Sequence, residues 1–192
     1  ALQQRHVTGK GCVIDTSLLD SAASWVDSSL ATYHITQELS PRTGAATPTI
    51  VPYQAFETAD HPLVIAAGYD RLFHKLATVL GFPEWCTDPR FAKGRDRFVN
   101  RDALIGLLKP VLLTKTRGEW LAAFEAVGVP CSPVNTIVEL SQTEQFKASD
   151  LLRTLPGSDL PVVGLPISFD GRRPHPHSGA PRLGQHNDEL LG

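Results

Sequence analysis

Between residues 49 and 80 the spacing of apolar positions changes once, and the chain is organised around that change. Residues 50–58 and 63–67 are short runs rich in β-branched and aromatic side chains, joined by Asp60-His61-Pro62. They predict two strands and a reversing turn. Leu72, Leu76, Val79 and Leu80 then recur at helical spacing, so the hairpin is expected to feed directly into an amphipathic helix. Gly68 lets the chain leave the second strand closely, and Asp70 is placed to cap the helix through its carboxylate.

Before this unit, Leu18, Leu19, Ala22, Trp25, Val26, Leu30 and Tyr33 form one broad stripe and predict a single long helix from Asp15 or Thr16. Little before residue 49 can cover that stripe, so its mate is expected elsewhere. Pro41, Gly44 and Pro48 break residues 39–48 into a loop. Its small polar segment 42–47 has the composition of a stretch that crosses a surface or closes over a ligand. No Lys-Ser or Lys-Thr follows at the spacing of a phosphate loop.

After the predicted central helix, residues 81–91 read as a turn-rich connector. A helix opening at Asn100 or Arg101 carries Leu104, Leu107, Leu108, Val111 and Leu112, and Pro110 is expected to kink or divide it. Thr116 and Glu119 have capping-box spacing, Trp120, Leu121, Phe124 and Val127 form the next helical face, and Gly128 stops it. Residues 129–134 are stiff and extended. A short helix from Thr136 or Glu139 to about Ala148 follows, then a proline-rich tail with small strands and a terminal helix.

Composition narrows the function. The 18 basic residues are balanced by 20 acidic ones and form no stripe, which excludes a nucleic-acid footprint. No apolar run approaches the roughly 20 residues of a membrane span. Cys12, Cys86 and Cys131 are odd in number and lack a C-x-x-C pair, which points to a reducing compartment and to packing cysteines rather than nucleophiles. The expected location is cytoplasmic, or mitochondrial in a eukaryote. His175 and His177, with His186 nearby, stand in a proline-flanked loop without a Cys or acidic third ligand, so no metal site is expected. The chain contains 0 Met, which points to a processed, trimmed or fragmentary product.

Several stretches in order resemble one family. They are T-G-K-G-C-V-I-D-T-S-L-L-D at 8–20, P-Y-Q-A-F-E-T-A-D at 52–60, I-A-A-G-Y-D-R-L-F at 65–73 and D-P-R-F at 88–91. They continue with N-R-D-A-L at 100–104, E-W-L-A-A-F-E-A-V-G-V-P-C-S-P-V-N at 119–135 and A-P-R-L-G-Q-H at 180–186. Together they resemble the class III CoA-transferases: formyl-CoA, carnitine and succinyl-CoA:dicarboxylate transferases, with the related 2-methylacyl-CoA racemases.

The resemblance implies an α/β fold: the carboxy-terminal portion of that enzyme, with a small α+β domain at 49–151. Residues 1–48 and 152–192 would be arms belonging to a Rossmann-like large domain. It implies transfer of coenzyme A from an acyl-CoA such as succinyl-CoA to a small carboxylic or dicarboxylic acid, through an aspartyl anhydride and thioester. The nucleophilic Asp is expected upstream of Ala1, so no catalytic residue is assigned here. CoA thioester is the substrate, and no permanently bound cofactor is expected. The expected partners are the amino-terminal half and a second subunit in an interlocked homodimer.

By position, Gly44, Pro52, Tyr53 and Asp70 are the substrate-cleft candidates. Residues 42–48 match a glycine-rich loop of formyl-CoA transferases, but here Gly44 stands without the multi-glycine run. The succinyl-CoA:dicarboxylate branch also lacks that run, and V-P-Y-Q-A-F-E-T resembles its version. Tyr69 stands where transferases commonly have Asn, and Ser132 where they often have Gly. Asp70 precedes Phe73 at the interval of a racemase acid/base Glu, and capping is its simpler role. The alternatives to transfer are racemisation at C2 of a branched acyl-CoA, or a catalytically inert dimerisation module.

Overall fold

The computed structural model describes residues 1–39 and 41–192, which gather into two units, Ala1–Ser132 and Pro133–Gly192. The first unit opens with three exposed helices, α1 (Leu2–Thr8), α2 (Leu18–Trp25) and α3 (Asp27–Thr36). The single long helix expected from the stripe is therefore two. Val26 leaves helical geometry at φ −104 and ψ 13, between α2 and α3. None of the residues of α1, α2 or α3 is buried, so no tertiary packing carries a long helix through this Ser- and Asp-rich stretch of modest propensity.

The expected hairpin forms. Strand β1 (Tyr53–Phe56) pairs antiparallel with β2 (Leu63–Ala66), Tyr53 facing Ala66 and Phe56 facing Leu63. Alternation sends Leu63 and Ile65 inward with no exposed surface. Helix α4 (Asp70–Leu80) follows at once and buries Phe73, Leu76, Ala77 and Leu80. It ends on Gly81 at φ 89, a left-handed backbone that glycine adopts without a Cβ penalty. At Gly68, between strand and helix, a Cβ would stand 2.0 Å from Ile50 Cγ2, so only a glycine admits this approach.

A 3-10 turn at Pro83–Cys86 brings Trp85 inward, and Phe82 stacks on it at 4.6 Å. Helix α5 (Gly94–Val99), unforeseen in this charged stretch, packs one buried residue, Arg97. Helix α6 (Arg101–Leu112) buries Leu104, Ile105, Leu108 and Leu112, and runs through Pro110 undivided. The carbonyl that Pro110 deprives of a donor belongs to Gly106, which is exposed and can be solvated instead. Helix α7 (Arg117–Val127) has the predicted Thr116–Glu119 capping box and stops at Gly128, φ 69. Its Trp120 donates from Nε1 to Leu112 O at 2.8 Å, and Lys75 of α4 reaches Val127 O at 2.5 Å. Strand β3 (Cys131–Pro133) completes the order β1-β2-β3.

Two polar groups tie these elements together. The Arg97 side chain has no exposed surface. It donates to Val51 O at 3.1 Å, Phe91 O at 2.8 Å, Gly68 O at 2.7 Å and Asp70 Oδ1 at 2.8 Å. Its guanidinium also lies 4.5 Å over the Phe73 ring. At the hairpin turn, Asp60 Oδ1 accepts from His61 N at 2.8 Å and from Arg117 N, the first residue of α7, at 2.7 Å. The Thr58 hydroxyl lies 2.9 Å from the same oxygen. The Arg117 amide is the largest influence holding the Asp60 carboxyl down from 3.8 to about 2.

In the second unit the single helix expected to about Ala148 is again two, α8 (Ile137–Gln142) and α9 (Glu144–Ala148). Thr136 and Glu139 form a capping box for α8. Thr143, extended at ψ 144, caps α9 through its hydroxyl, so a second cap outcompetes helix continuation. Strand β4 (Leu152–Thr154) pairs antiparallel with β5 (Pro161–Val163), and α10 (Asn187–Leu191) lies near the end.

Arg97→Met is expected to destabilise the first unit by about 3–5 kcal/mol in chemical denaturation, because buried carbonyls lose their donors while Asp70 loses its counter-ion. Asp60 has a folded pKa below its unfolded one, so its contribution is complete above about pH 4 and disappears as pH falls toward about 2. Asp60→Asn should therefore lower stability at neutral pH and give a shallower loss across that acid window than the wild type.

Candidate functional site

The segment expected to cross a surface or close over a ligand borders a cavity. Residues 43–46 form a turn in which Ala46 N donates to Thr43 O at 3.0 Å, with Gly44 at φ 59. Thr47 N then donates to Tyr53 O at 2.9 Å, which lays the chain against β1. From the other side, Arg101 Nη2 donates to Thr47 O at 2.8 Å and to Pro48 O at 2.6 Å. Between this segment, the end of α3 and the α5–α6 junction lies a cavity of about 910 Å3. That is within the range of roughly 300–1,000 Å3 for small-molecule sites.

Its polar wall offers Thr36, Arg42, Thr43, Gln54, Asn100 and Arg101, while Leu39, Pro48, Phe98 and Ile105 supply apolar surface. Glu38 and Asp102 also line it. Hydroxyl, amide and guanidinium donors beside apolar patches suit a ligand with an anionic end and an apolar body.

The predicted cleft residues do not converge there. Gly44 sits in the turn bordering the cavity, exposed, with no atom within 4 Å of a Cβ built on it. Pro52 is buried after a cis Val51–Pro52 bond, and its carbonyl accepts from Ala67 N at 2.9 Å. Tyr53 is 41% exposed and outside the cavity lining, while its carbonyl holds Thr47.

Asp70 is also outside that lining, and it is not the helix cap. The N-cap of α4 is Tyr69, without a side-chain cap bond. Asp70 turns its carboxylate to Arg97 instead, because an ionised partner at 2.8 Å outweighs a neutral backbone amide. The Arg97 hydrogen bond, followed by the charges of Arg97 and Lys93, holds the Asp70 carboxyl below its usual range.

Cys86 and Cys131 are partly buried, and burial pushes both thiols up, which keeps them protonated and unreactive at neutral pH. Among the described residues no three His, Cys, Asp or Glu side chains gather as metal ligands, and no helix is long and apolar enough to cross a membrane. His175 and His177 are exposed, and His186 Nδ1 lies 3.1 Å from Glu189 Oε2.

Nothing in the local pattern of the sequence marks Arg101, Asn100 or Gln54 as a cavity group. The pair Asn100-Arg101 was visible as part of N-R-D-A-L, but its partner Thr47 lies 54 positions away.

A family model described as CoA-transferase family III matches residues 1–187. The chain belongs to that family. As a CoA-transferase family III chain it is 35% identical over 191 residues to acetyl-CoA:oxalate CoA-transferase of Acetobacter aceti, covering 99% of this chain and 49% of that protein. It is 31% identical over 193 residues to succinyl-CoA:glutarate CoA-transferase of Mus musculus, covering 99% and 44%. Among solved structures, a CAIB/BAIF family protein from Brucella suis superposes with TM-score 0.79 at 34% identity, over 99% of this chain and 50% of that one. The chain thus spans about half the length of the relatives it matches, and the mixed helical and small-sheet architecture implied by the resemblance is the one found.

Lys93 Nζ is 3.9 Å from Asp70 and its side chain is 74% exposed, whereas Arg97 is wholly buried. Asp70→Ala is therefore expected to cost about 1–2 kcal/mol, discounted for the half-exposed carboxylate, and Lys93→Ala less than about 0.5 kcal/mol. Equal losses in urea denaturation would contradict this ordering.

Proposed function

We propose that this chain is one half of an enzyme that moves coenzyme A from an acyl-CoA, such as succinyl-CoA, to a small dicarboxylic acid. The family match over residues 1–187 carries the reading. It is supported by relatives named for oxalate and for glutarate, both dicarboxylic acceptors. In this reading residues 49–151 are the small domain of the parent, and 1–48 and 152–192 belong with its large domain.

The reaction is covalent catalysis by a carboxylate on the portion of the relatives that this chain does not span. That aspartate attacks the thioester carbonyl, forming an anhydride and releasing CoA thiolate. The thiolate attacks the aspartyl carbonyl, giving a thioester and freeing the donor acid. The acceptor carboxylate then attacks this thioester, and the released thiolate takes the acceptor's acyl group while the aspartate is regenerated.

This chain contributes a wall to that chemistry. Arg42, Thr43 and Gln54 present donors to an anionic acceptor, while the apolar side of the cavity takes its carbon chain. Gly44 gives the bordering turn its left-handed backbone, and Tyr53 holds the segment through its carbonyl. Racemisation would require one group to take the C2 proton and another to return one, and the Asp70 carboxylate is instead engaged by the buried Arg97 at 2.8 Å.

Alone, the 192-residue chain is inactive in this reading. Leu18 at 91% and Trp25 at 89% exposure mark an apolar face that the rest of the enzyme and a second subunit cover. The complete enzyme, given succinyl-CoA and an isotopically labelled dicarboxylate, should yield labelled acyl-CoA and free succinate, while the isolated chain yields neither. Inversion at C2 of a branched acyl-CoA without exchange would overturn the assignment.

A further inference from the structure

We infer that Arg101 is a positioning residue: it fixes Thr47 and Pro48, and so decides where the 43–46 turn stands at the cavity. Thr47 is held through both backbone groups, by Tyr53 O at 2.9 Å and by Arg101 at 2.8 Å, and the same Nη2 reaches Pro48 O at 2.6 Å. A guanidinium nitrogen shared by two successive carbonyls constrains the direction of the chain as well as its position.

The turn itself is closed by its own Ala46–Thr43 bond, and the space around Gly44 is open. The boundary between anchored and open backbone therefore falls at Thr47. Arg101 springs from the first residue of α6, whose Leu104, Ile105, Leu108 and Leu112 are fixed in the core, so the anchor has a rigid base. Arg101, Thr43, Ala46 and Pro48 all line the cavity, so displacement of the anchor reshapes it.

The consequence for substrate rests on the acceptor-site reading given above, but the anchoring does not. Hydrogen–deuterium exchange on this chain tests the anchoring directly. Arg101→Gln should speed exchange about tenfold or more in the peptide containing residues 41–49 and leave α6 and α7 unchanged. Arg101→Lys should fall between, because an ammonium can reach the carbonyls without the planar fork. In the complete enzyme, Arg101→Gln should raise KM for the acceptor acid about tenfold with kcat within about threefold, since the wall must then be ordered on binding.

Unchanged exchange at 41–49, or equal acceleration throughout α6 and α7, overturns the anchoring. Faster exchange with an unaltered KM overturns its role in substrate binding. If the complete enzyme transfers no CoA, the acceptor-site reading falls, while the exchange data still decide whether Arg101 positions the segment.

Discussion

A guanidinium with no exposed surface joins the entry to β1, the exit from β2 and the start of α4. Arg97 bonds carbonyls at Val51, Gly68 and Phe91 and pairs with Asp70. Hydrophobic burial of Phe73, Leu63 and Ile65 gives this region its free energy, but apolar contacts have no direction. The arginine supplies direction, because each of its donors must find an acceptor once water is excluded. Asp70 completes the set, which is why its carboxylate is spent on structure.

The same device recurs at the surface in a weaker form. Arg101 bonds carbonyls of the 47–48 segment as Arg97 does those of the core, and Asp60 gathers amides from the hairpin turn and from α7. In each case an ionised side chain satisfies backbone groups that no regular element uses. These three residues hold β1, β2, the starts of α4 and α7 and the segment beside the cavity in one arrangement.

Residues 1–36 lie at the opposite extreme. Their helices bury nothing, and Leu18, Leu19 and Trp25 stand largely exposed. The chain spans about half of its relatives, at 49% of one and 44% of another. The apolar stripe thus stands uncovered among the described residues of a chain that spans about half the length of the relatives it matches.

The sequence by itself determined what is encoded within a few positions. The change of period from strand to helix, the capping box at Thr116 and the glycine stop at Gly128 were legible, because each depends on neighbours along the chain. The order of short family-like segments carried the fold class as well. Tertiary structure alone decided where Asp70 spends its charge, since Arg97 lies 27 positions away. It also decided that α5 forms around a buried cation, that the helical stripe breaks at Val26 for want of packing, and that Arg101 finds Thr47 across 54 positions. Such pairings depend on desolvation and distance in three dimensions, and periodicity does not record either.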